Sequence, residues 1–379
     1  MDYPYIILYL LLIALTFFYW RGHEKRIFTI SVCIALLFIG LRAPVVAADT
    51  YNYVQFFKGK SSAYDIASAN GSIEPLYLLY NDIMRTVLRG NGVLFLFVTS
   101  LLSLFPLFML IKRYSYNMVL SVLLFFLIND LTDYLSMFRQ VLGLSCLIIG
   151  IIYFEQNRKY KWVLLFTCGF VGVLFHYYIL VNFVAVLVLL FVNIERRWVY
   201  IIAIVLSLGI GMLLESSYIS YAIDSALKIY EIQEGNAGIY LSWELAENIS
   251  FFHIARLSVV ALISVCFMDG NKLNHIFTKL YILGIIIFNL FYPVLMIHRL
   301  VFTFLIFDIV VVTWILDINY SLRPKRKQII NVLMWLTIFY FARQQINQSI
   351  DYDLNDSGRM HPYYFFWEDY SSHPSITRF

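Results

Sequence analysis

Apolar runs of roughly 17 to 20 residues recur along this sequence from one end to the other, and they limit its possible folds more than any other feature. A run of this length crosses a hydrocarbon core of about 30 Å as a helix, in which each backbone hydrogen bond is made within the segment. The sequence therefore predicts an all-α polytopic membrane protein.

The composition agrees with that class. Hydrophobic residues make up 61% of the 379 positions and charged residues 14%, and the mean hydropathy of +0.75 lies far above that of soluble domains. The formal net charge of +4 is spread over short loops, which does not indicate a nucleic-acid-binding surface. The first apolar run has neither a basic segment before it nor a small-residue cleavage site after it, so it is predicted to be a first span rather than a removed signal.

The runs give about twelve candidate transmembrane helices. They lie at about 4–20, 27–41, 93–111, 117–129, 138–154, 161–175, 177–193, 198–214, 254–268, 276–292, 300–316 and 329–345. Connections rich in Lys and Arg fall on alternate loops, which is the pattern expected of cytoplasmic loops. The loop 269–275 fits this pattern less clearly, because Asp269 offsets Lys272. These basic connections are 21–26, 112–113, 155–161, 195–197 and 323–327. Both termini are then predicted to lie outside.

Two long segments and a tail remain on the outer side, at 42–92, 215–253 and 346–379. In the first segment, apolar residues recur at helical spacing, which predicts an amphipathic helix along the outer surface. These residues are Leu76, Leu79, Tyr80, Ile83, Val87 and Leu88. The second segment is acidic and is interrupted by Gly235-Asn-Ala-Gly238. Because no internal repeat is visible, residues 1–379 are predicted to form a single integral membrane domain.

Familiar catalytic and metal-binding motifs are missing from the sequence. It has no Ser-His-Asp order, no glycine-rich phosphate loop and no metal-spaced cluster of His and Cys. The four cysteines lie within apolar runs and are interpreted as structural thiols. They are Cys33, Cys146, Cys168 and Cys266. The sequence thus predicts no metal and no cofactor, and its chemistry must come from dispersed charges.

Six basic side chains fall at the predicted outer boundary. They are Arg42, Arg139, His176, Arg256, His298 and Arg299. A positive charge there runs against the positive-inside bias, and an arginine within the apolar region costs roughly 2.5–3.5 kcal/mol on insertion scales. One interpretation is a cationic pocket that binds phosphate oxygens beside a lipid-filled cleft. The alternative is that each arginine reaches water or pairs with Asp130, Asp133 or Glu247, and that His176 is an interfacial polar tip.

Two acids in the first outer segment are candidates for handling a proton. Asp49 follows Pro44 and several small residues, and Glu74 precedes Pro75 at the start of the predicted surface helix. The alternative for Asp49 is a helix cap, and the alternative for Glu74 is an interaction with the helix dipole. The residues alone do not decide between these roles.

The order of these residues resembles the EpsG family of polysaccharide-biosynthesis membrane proteins, which is related in function to the Wzy O-antigen polymerases. The shared motifs are Arg42, Asp49-Thr-Tyr-Asn-Tyr53 with Phe56, Glu74-Pro-Leu-Tyr77, Phe138-Arg139-Gln140 with Leu142-Gly143, and Phe175-His176-Tyr-Tyr178. The resemblance covers the first half of the chain. It extends to the second half through hydropathy, His298-Arg299 and Pro362-Tyr-Tyr-Phe-Phe366.

The resemblance implies a polymerase of lipid-linked oligosaccharide repeat units, similar to GT-C-type membrane glycosyltransferases that use polyprenyl-diphosphate donors. Such a reaction needs an apolar channel for the lipid, cations for the diphosphate, and a carboxylate or imidazole for the acceptor proton. On this hypothesis Asp49, Glu74 or His176 orients or deprotonates the acceptor. The residues that would hold diphosphate are Arg42, Arg139, Arg256, His298 and Arg299.

The implied setting is a bacterial inner (cytoplasmic) membrane, with the active site facing outward. The expected partners are a polyprenyl-diphosphate-linked oligosaccharide and the lipid bilayer, with a chain-length regulator and a flippase of the same pathway as further candidates. Two alternative functions stay open, an O-antigen ligase and a flippase or transporter of lipid-linked oligosaccharide. Transporters keep coupling charges near the bilayer midplane and are often built from two related halves. Here the charges lie at one boundary and no internal repeat is visible, which favours the enzyme.

Overall fold

A computed structural model of the chain describes residues 2–19, 23–47, 49–59, 73–128, 131–157, 159–194, 196–213, 251–292, 295–317, 324–350 and 362–369. Within these ranges the secondary structure is α-helical, apart from an isolated antiparallel bridge between Arg42 and Phe365. The all-α class predicted from the apolar runs is therefore confirmed. Residues 215–250 of the second outer segment and most of the tail fall outside the described residues, and 251–253 begin a helix.

The helices are numbered here in chain order. They are α1 Tyr3–Tyr19, α2 Glu24–Gly40, α3 Thr50–Phe57, α4 Pro75–Val87, α5 Gly92–Tyr114, α6 Met118–Leu127, α7 Leu131–Ser136, α8 Phe138–Glu155, α9 Lys161–Phe175, α10 Ile179–Phe191, α11 Arg197–Leu213, α12 Phe251–Phe267, α13 Gly270–Leu273, α14 Ile276–Phe291, α15 Leu295–Leu305, α16 Asp308–Val311, α17 Trp314–Asp317 and α18 Pro324–Ile350.

Some described helices have the length of membrane spans, and others have exposed apolar faces. Among the described residues, α5 and α8 are both long and apolar enough to cross a membrane, and further apolar helices of 10–17 residues are shorter. Helix α9 exposes Val163 and Phe170, each by 62%, and α10 exposes Val184 and Val188 by 49% and 56%. Such exposed apolar faces suit lipid better than water. The number of about twelve spans stays a prediction.

The chain divides into two compact units, Met1–Val184 with Val332–Phe379 as unit 1 and Ala185–Asn331 as unit 2. In unit 1, α8 and α9 form an antiparallel pair, and α5 packs against both α8 and α2. Helix α6 packs against α1 and α2. The prediction of a single membrane domain is not tested by this division.

One end of unit 1 joins the amino-terminal segment and the tail residues 362–369 to the turn that follows α2. The backbone N–H of Ala43 donates to Tyr364 O at 2.8 Å, and the N–H of Tyr363 donates to Asp2 Oδ2 at 2.7 Å. The amino terminus, the turn and the tail therefore meet at one end. The sequence predicted a common side of the membrane for these three segments.

Helix α4 occupies the segment that was predicted to be amphipathic, but a different face is buried. Its buried residues are Tyr77, Tyr80 and Asn81. Leu79, Ile83 and Val87 are 53%, 49% and 67% exposed, although the prediction placed them with Tyr80 on one face. The reason is aromatic packing, because the rings of α4 lie against those of α3 and α5.

Unit 2 is held by polar contacts between its helices. Ser258 Oγ in α12 donates to Asn289 Oδ1 in α14 at 2.9 Å, and Asn289 Nδ2 donates to Ser207 Oγ in α11 at 2.9 Å. Lys279 Nζ, on a residue that is 7% exposed, donates to Leu189 O at the end of α10 at 3.2 Å. These bonds satisfy polar groups in an apolar interior.

Candidate active site

Glu74 stands directly before α4, with Pro75 as the first helical residue. Its backbone carbonyl accepts hydrogen bonds from Tyr77 N at 3.1 Å and Leu78 N at 3.2 Å. Its carboxylate makes no capping hydrogen bond, and the residue is 3% exposed. The carboxylate therefore does not cap α4, and its interaction with the helix dipole stays a prediction. A buried carboxylate needs other partners to offset its lost hydration.

Arg139 and His176 are those partners. Arg139 Nη1 donates to Glu74 Oε2 at 2.7 Å, and Glu74 Oε1 lies 2.6 Å from His176 Nδ1 and 3.4 Å from the backbone N of Tyr177. The side chains of Arg139 and His176 are 28% and 16% exposed, so part of each remains accessible. We refer to the three residues as the Glu74–Arg139–His176 cluster.

Helix ends bring the cluster together. Arg139 lies in the first turn of α8, and His176 directly follows α9. Because α8 and α9 are antiparallel neighbours, the start of one lies beside the end of the other. Helix α4 packs against α9 and carries Glu74 to the same place. Sequence reasoning placed Arg139 and His176 at the outer boundary and Glu74 in the first outer segment, but it did not pair them.

Aromatic rings hold the helices around the cluster. Phe57 of α3 stacks on Phe95 of α5 at 4.2 Å, and Tyr53 of α3 stacks on Phe138 of α8 at 5.0 Å. Arg85 of α4 adds a polar contact, since its Nε donates to Phe57 O at the end of α3 at 2.7 Å. Basic side chains commonly satisfy the last carbonyls of a helix.

The charges around Glu74 keep it ionised. Burial by itself raises the pKa of the Glu74 carboxyl, but the hydrogen bond from His176 and the positive charge of Arg139 outweigh it, so the pKa lies below its ordinary value. A carboxylate only accepts hydrogen bonds, so Nδ1 of His176 carries the hydrogen of their contact. In a neutral imidazole Nε2 then keeps its lone pair and can accept a proton.

Arg42, after the end of α2, is completely buried, with 0% exposure. Its guanidinium donates to the backbone carbonyls of Ile39 and Leu135, the latter at 3.2 Å, and to Ser100 Oγ at 3.3 Å. The centre of the Phe138 ring lies 5.4 Å from Arg42 Cζ. A cavity of about 10 Å³, the room of about one water molecule, adjoins the guanidinium. These contacts are with the protein itself, and the diphosphate contact of Arg42 stays a prediction.

Asp49 stands directly before α3 and is partly buried. Its backbone carbonyl accepts from Tyr53 N at 3.0 Å, but its side chain makes no capping hydrogen bond, so the cap alternative is wrong here. The next residue, Thr50, donates from Oγ1 to Leu135 O at 3.3 Å, which is the carbonyl that Arg42 also binds. Arg42 and Asp49 therefore flank one turn that is fixed to α7. Proton handling by Asp49 stays a prediction.

The other predicted cations belong to unit 2. Arg256 lies in α12, and His298 and Arg299 lie in α15. Ser258 of α12 is hydrogen-bonded near the end of α14, and His298 Nε2 donates to Tyr292 O, just past that end, at 2.8 Å. The three residues therefore lie at the same end of unit 2. Their diphosphate contacts stay predictions.

The acids named from the sequence as partners of the boundary arginines are not tested by the structure. Asp130 and Glu247, and the side chain of Asp133, fall outside the described residues. Arg139 pairs instead with Glu74, an acid that was predicted as a proton-handling group. The four cysteines are free thiols. In the part of the chain that the structure describes, no group of three or more His, Cys, Asp or Glu is placed to hold a metal ion.

Comparison with known proteins identifies one family. The model of the EpsG family matches residues 25–365, so the match includes the Glu74–Arg139–His176 cluster and also the second half of the chain. Comparisons with curated proteins and with solved structures find no match, and the resemblance to GT-C-type enzymes stays a prediction. The chain belongs to the EpsG family, which supports a membrane protein with a role of the polysaccharide-polymerase type.

Proposed function

We propose that this chain is a polysaccharide polymerase that joins oligosaccharide repeat units carried on polyprenyl diphosphate, at the outer face of the cytoplasmic membrane. The observation that carries the proposal is the Glu74–Arg139–His176 cluster, in which a buried carboxylate contacts a guanidinium at 2.7 Å and an imidazole at 2.6 Å. Membership of the EpsG family supports the broad class of polysaccharide polymerase. The cluster supplies the charged groups that this reaction requires.

The reaction transfers a growing glycan from its diphosphate to a hydroxyl of a new lipid-linked repeat unit. The acceptor oxygen bonds to the anomeric carbon, the bond from that carbon to the diphosphate oxygen breaks, and the acceptor proton passes to a base. In the proposed mechanism His176 Nε2 takes this proton. Glu74 accepts the Nδ1 hydrogen, orients the ring and stabilises the imidazolium that forms. Glu74 is itself a weak base because its pKa is lowered.

Arg139 is proposed to stabilise the diphosphate as it leaves with its negative charge. The hydrogen bond to Glu74 uses one of the five N–H donors of the guanidinium, and 28% of the side chain is exposed. A planar guanidinium matches two phosphate oxygens at once. Diphosphate binding by Arg256, His298 and Arg299, which belong to unit 2, is a separate proposal that does not depend on this cluster. The proposed roles of Arg42 and Asp49 are tested separately below.

An exposed aromatic ring next to the cluster suits an oligosaccharide. Tyr177 is 54% exposed, and its backbone N–H lies 3.4 Å from Glu74 Oε1. Its ring is proposed to stack on a sugar face. Tyr77, by contrast, is 1% exposed and belongs to the aromatic core.

The test is polymerisation by the purified protein in lipid nanodiscs, with a synthetic polyprenyl-diphosphate repeat unit as the substrate. A ladder of products of increasing length supports the proposal, and His176→Gln should remove the ladder while the protein still accumulates in the membrane. Transfer of one repeat unit to a different kind of acceptor would identify a ligase. Movement of the lipid across a vesicle membrane without bond formation would identify a flippase.

A further inference from the structure

The backbones of α8 and α9 approach each other closely at two glycines. A Cβ atom on Gly143 would lie 2.6 Å from Gly172 O, and one on Gly172 would lie 2.7 Å from Gly143 O. Ile179 closes the other side, because its Cγ1 would be 2.8 Å from the new atom on Gly143. Distances this short to backbone oxygens require the helices to move apart if either glycine gains a side chain.

This contact lies one helical turn from the Glu74–Arg139–His176 cluster on both helices. Gly143 follows Arg139 by one turn of α8, and Gly172 precedes His176 by one turn of α9. The Gly172 carbonyl that faces Gly143 also accepts the backbone N–H of His176 at 3.0 Å. The close approach of the two glycines therefore fixes the backbone position of His176, which carries the imidazole.

The carboxylate of Glu74 must reach both helices at once. Its Oε2 binds Arg139 on α8, and its Oε1 binds His176 at the end of α9. One carboxylate can make both contacts only while the two helices stay at this separation, since hydrogen bonds weaken steeply outside a narrow range of distance and angle.

We propose that Gly143 and Gly172 are positioning residues that set the separation of Arg139 and His176 for catalysis. The catalytic part of this inference rests on the proposed polymerase function, whereas the geometric part does not. Neither glycine was expected to have such a role from the sequence, where Gly143 appeared only as part of the Phe138-to-Gly143 motif.

Gly150 offers a matched control in the same helix pair. A Cβ atom there would lie 2.9 Å from Cys168 Cβ, so Gly150→Ala also adds a methyl group between α8 and α9. Gly150 lies about two turns further from the cluster. A loss caused by weaker helix packing alone should therefore affect Gly150→Ala as well as the two site variants.

The experiment compares Gly143→Ala, Gly172→Ala and Gly150→Ala with the wild type in nanodiscs. We expect the first two to lose about 10²-fold in polymerisation rate, the usual cost of a misplacement near 1 Å, and Gly150→Ala to lose much less. Equal losses in all three variants, or full activity in the first two, would overturn the proposal.

A second measurement does not depend on the reaction. Histidine labelled with ¹⁵N reports the Nδ1 hydrogen bond of His176 by its chemical shift, with the signal assigned by its absence in His176→Gln. The shift should change in Gly143→Ala and Gly172→Ala and stay unchanged in Gly150→Ala. If the wild type does not polymerise, the proposed function is wrong. The chemical shifts still test whether the two glycines set the position of His176. If neither site variant accumulates in the membrane while Gly150→Ala does, the glycines serve folding and the proposal is rejected.

Discussion

His176 Nδ1 lies 2.6 Å from Glu74 Oε1, although 102 residues separate them in the sequence. The contact joins the end of α9 to the start of α4 and determines which imidazole nitrogen carries the hydrogen. The second oxygen of the same carboxylate binds Arg139 at 2.7 Å. A change at any one of these residues should therefore affect the other two.

Replacing the Glu74 charge should cost most of the activity. We expect Glu74→Gln to reduce the polymerisation rate by about 10²- to 10⁴-fold, the usual contribution of a positioned proton transfer. The amide fills the same space but cannot stabilise an imidazolium at His176. Product ladders from equal amounts of purified protein measure the loss, with Glu155→Gln at the far end of α8 as the control. Polymerisation by Glu74→Gln at the wild-type rate would show that this charge has no part in the reaction.

Arg139→Lys should impair activity much more than expression. A lysine ammonium keeps the positive charge beside Glu74 but cannot bind two phosphate oxygens with a planar pair of donors. Rates and membrane protein levels are compared with those of Arg113→Lys, which alters an arginine in the last turn of α5. If Arg139→Ala still makes polymer of full length, Arg139 has a structural role only.

The stability contributed by Glu74 should disappear at acid pH. Its pKa is lowered in the folded protein, so the unfolded chain takes up this proton at a higher pH than the folded chain does. The contribution is fully present above the unfolded carboxyl pKa of about 4.3 and is lost as the pH falls through the lower folded value. Melting temperatures of wild type and Glu74→Gln should therefore converge on acidification. A difference that is independent of pH would argue against an ionised Glu74.

Asp49→Asn should lose polymerisation while protein level and donor binding stay nearly intact. Its side chain makes no capping hydrogen bond, so the substitution removes no helix cap. The measurement pairs the product ladder with binding of a labelled polyprenyl-diphosphate sugar. Normal polymerisation by Asp49→Asn would leave Glu74 and His176 as the proton-handling groups.

Arg42→Ala is expected to lose donor binding and also stability. The carbonyls of Ile39 and Leu135 lose a buried donor, which costs about 1–3 kcal/mol. Donor binding and melting temperature are measured together on the same preparation. Lower stability with unchanged donor binding would make Arg42 a structural residue and exclude the predicted diphosphate contact.

The membrane topology can be tested at positions outside the Glu74–Arg139–His176 cluster. A reporter fused after Arg113 or Arg197 should behave as cytoplasmic, because both follow the positive-inside pattern. A cysteine introduced at Ser62 or Gly235, two positions outside the described residues, should be labelled from outside. Labelling of Ser62→Cys from the cytoplasm alone would reverse the placement of the site.

The amino-acid sequence by itself determined the class of the protein and the position of its charges along the chain. Apolar runs predict helices because hydropathy and length are local properties, and runs 93–111 and 138–154 correspond to α5 and α8. The boundaries of runs 138–154 and 161–175 placed Arg139 at a helix start and His176 at a helix end. The order of motifs was sufficient to identify the EpsG family, whose model covers both halves of the chain.

Only the tertiary structure decided which charges meet. The pairing of Glu74 with Arg139 and His176 depends on the separation of α8 and α9 and on how α4 packs against α9, and neither is encoded in local periodicity. The burial of Arg42 is likewise a consequence of packing, because its carbonyl partners on α2 and α7 replace the water that a boundary arginine would otherwise keep. A sequence pattern shows that a charge lies near a helix end, but the partner that offsets its burial is selected by close approach of distant segments.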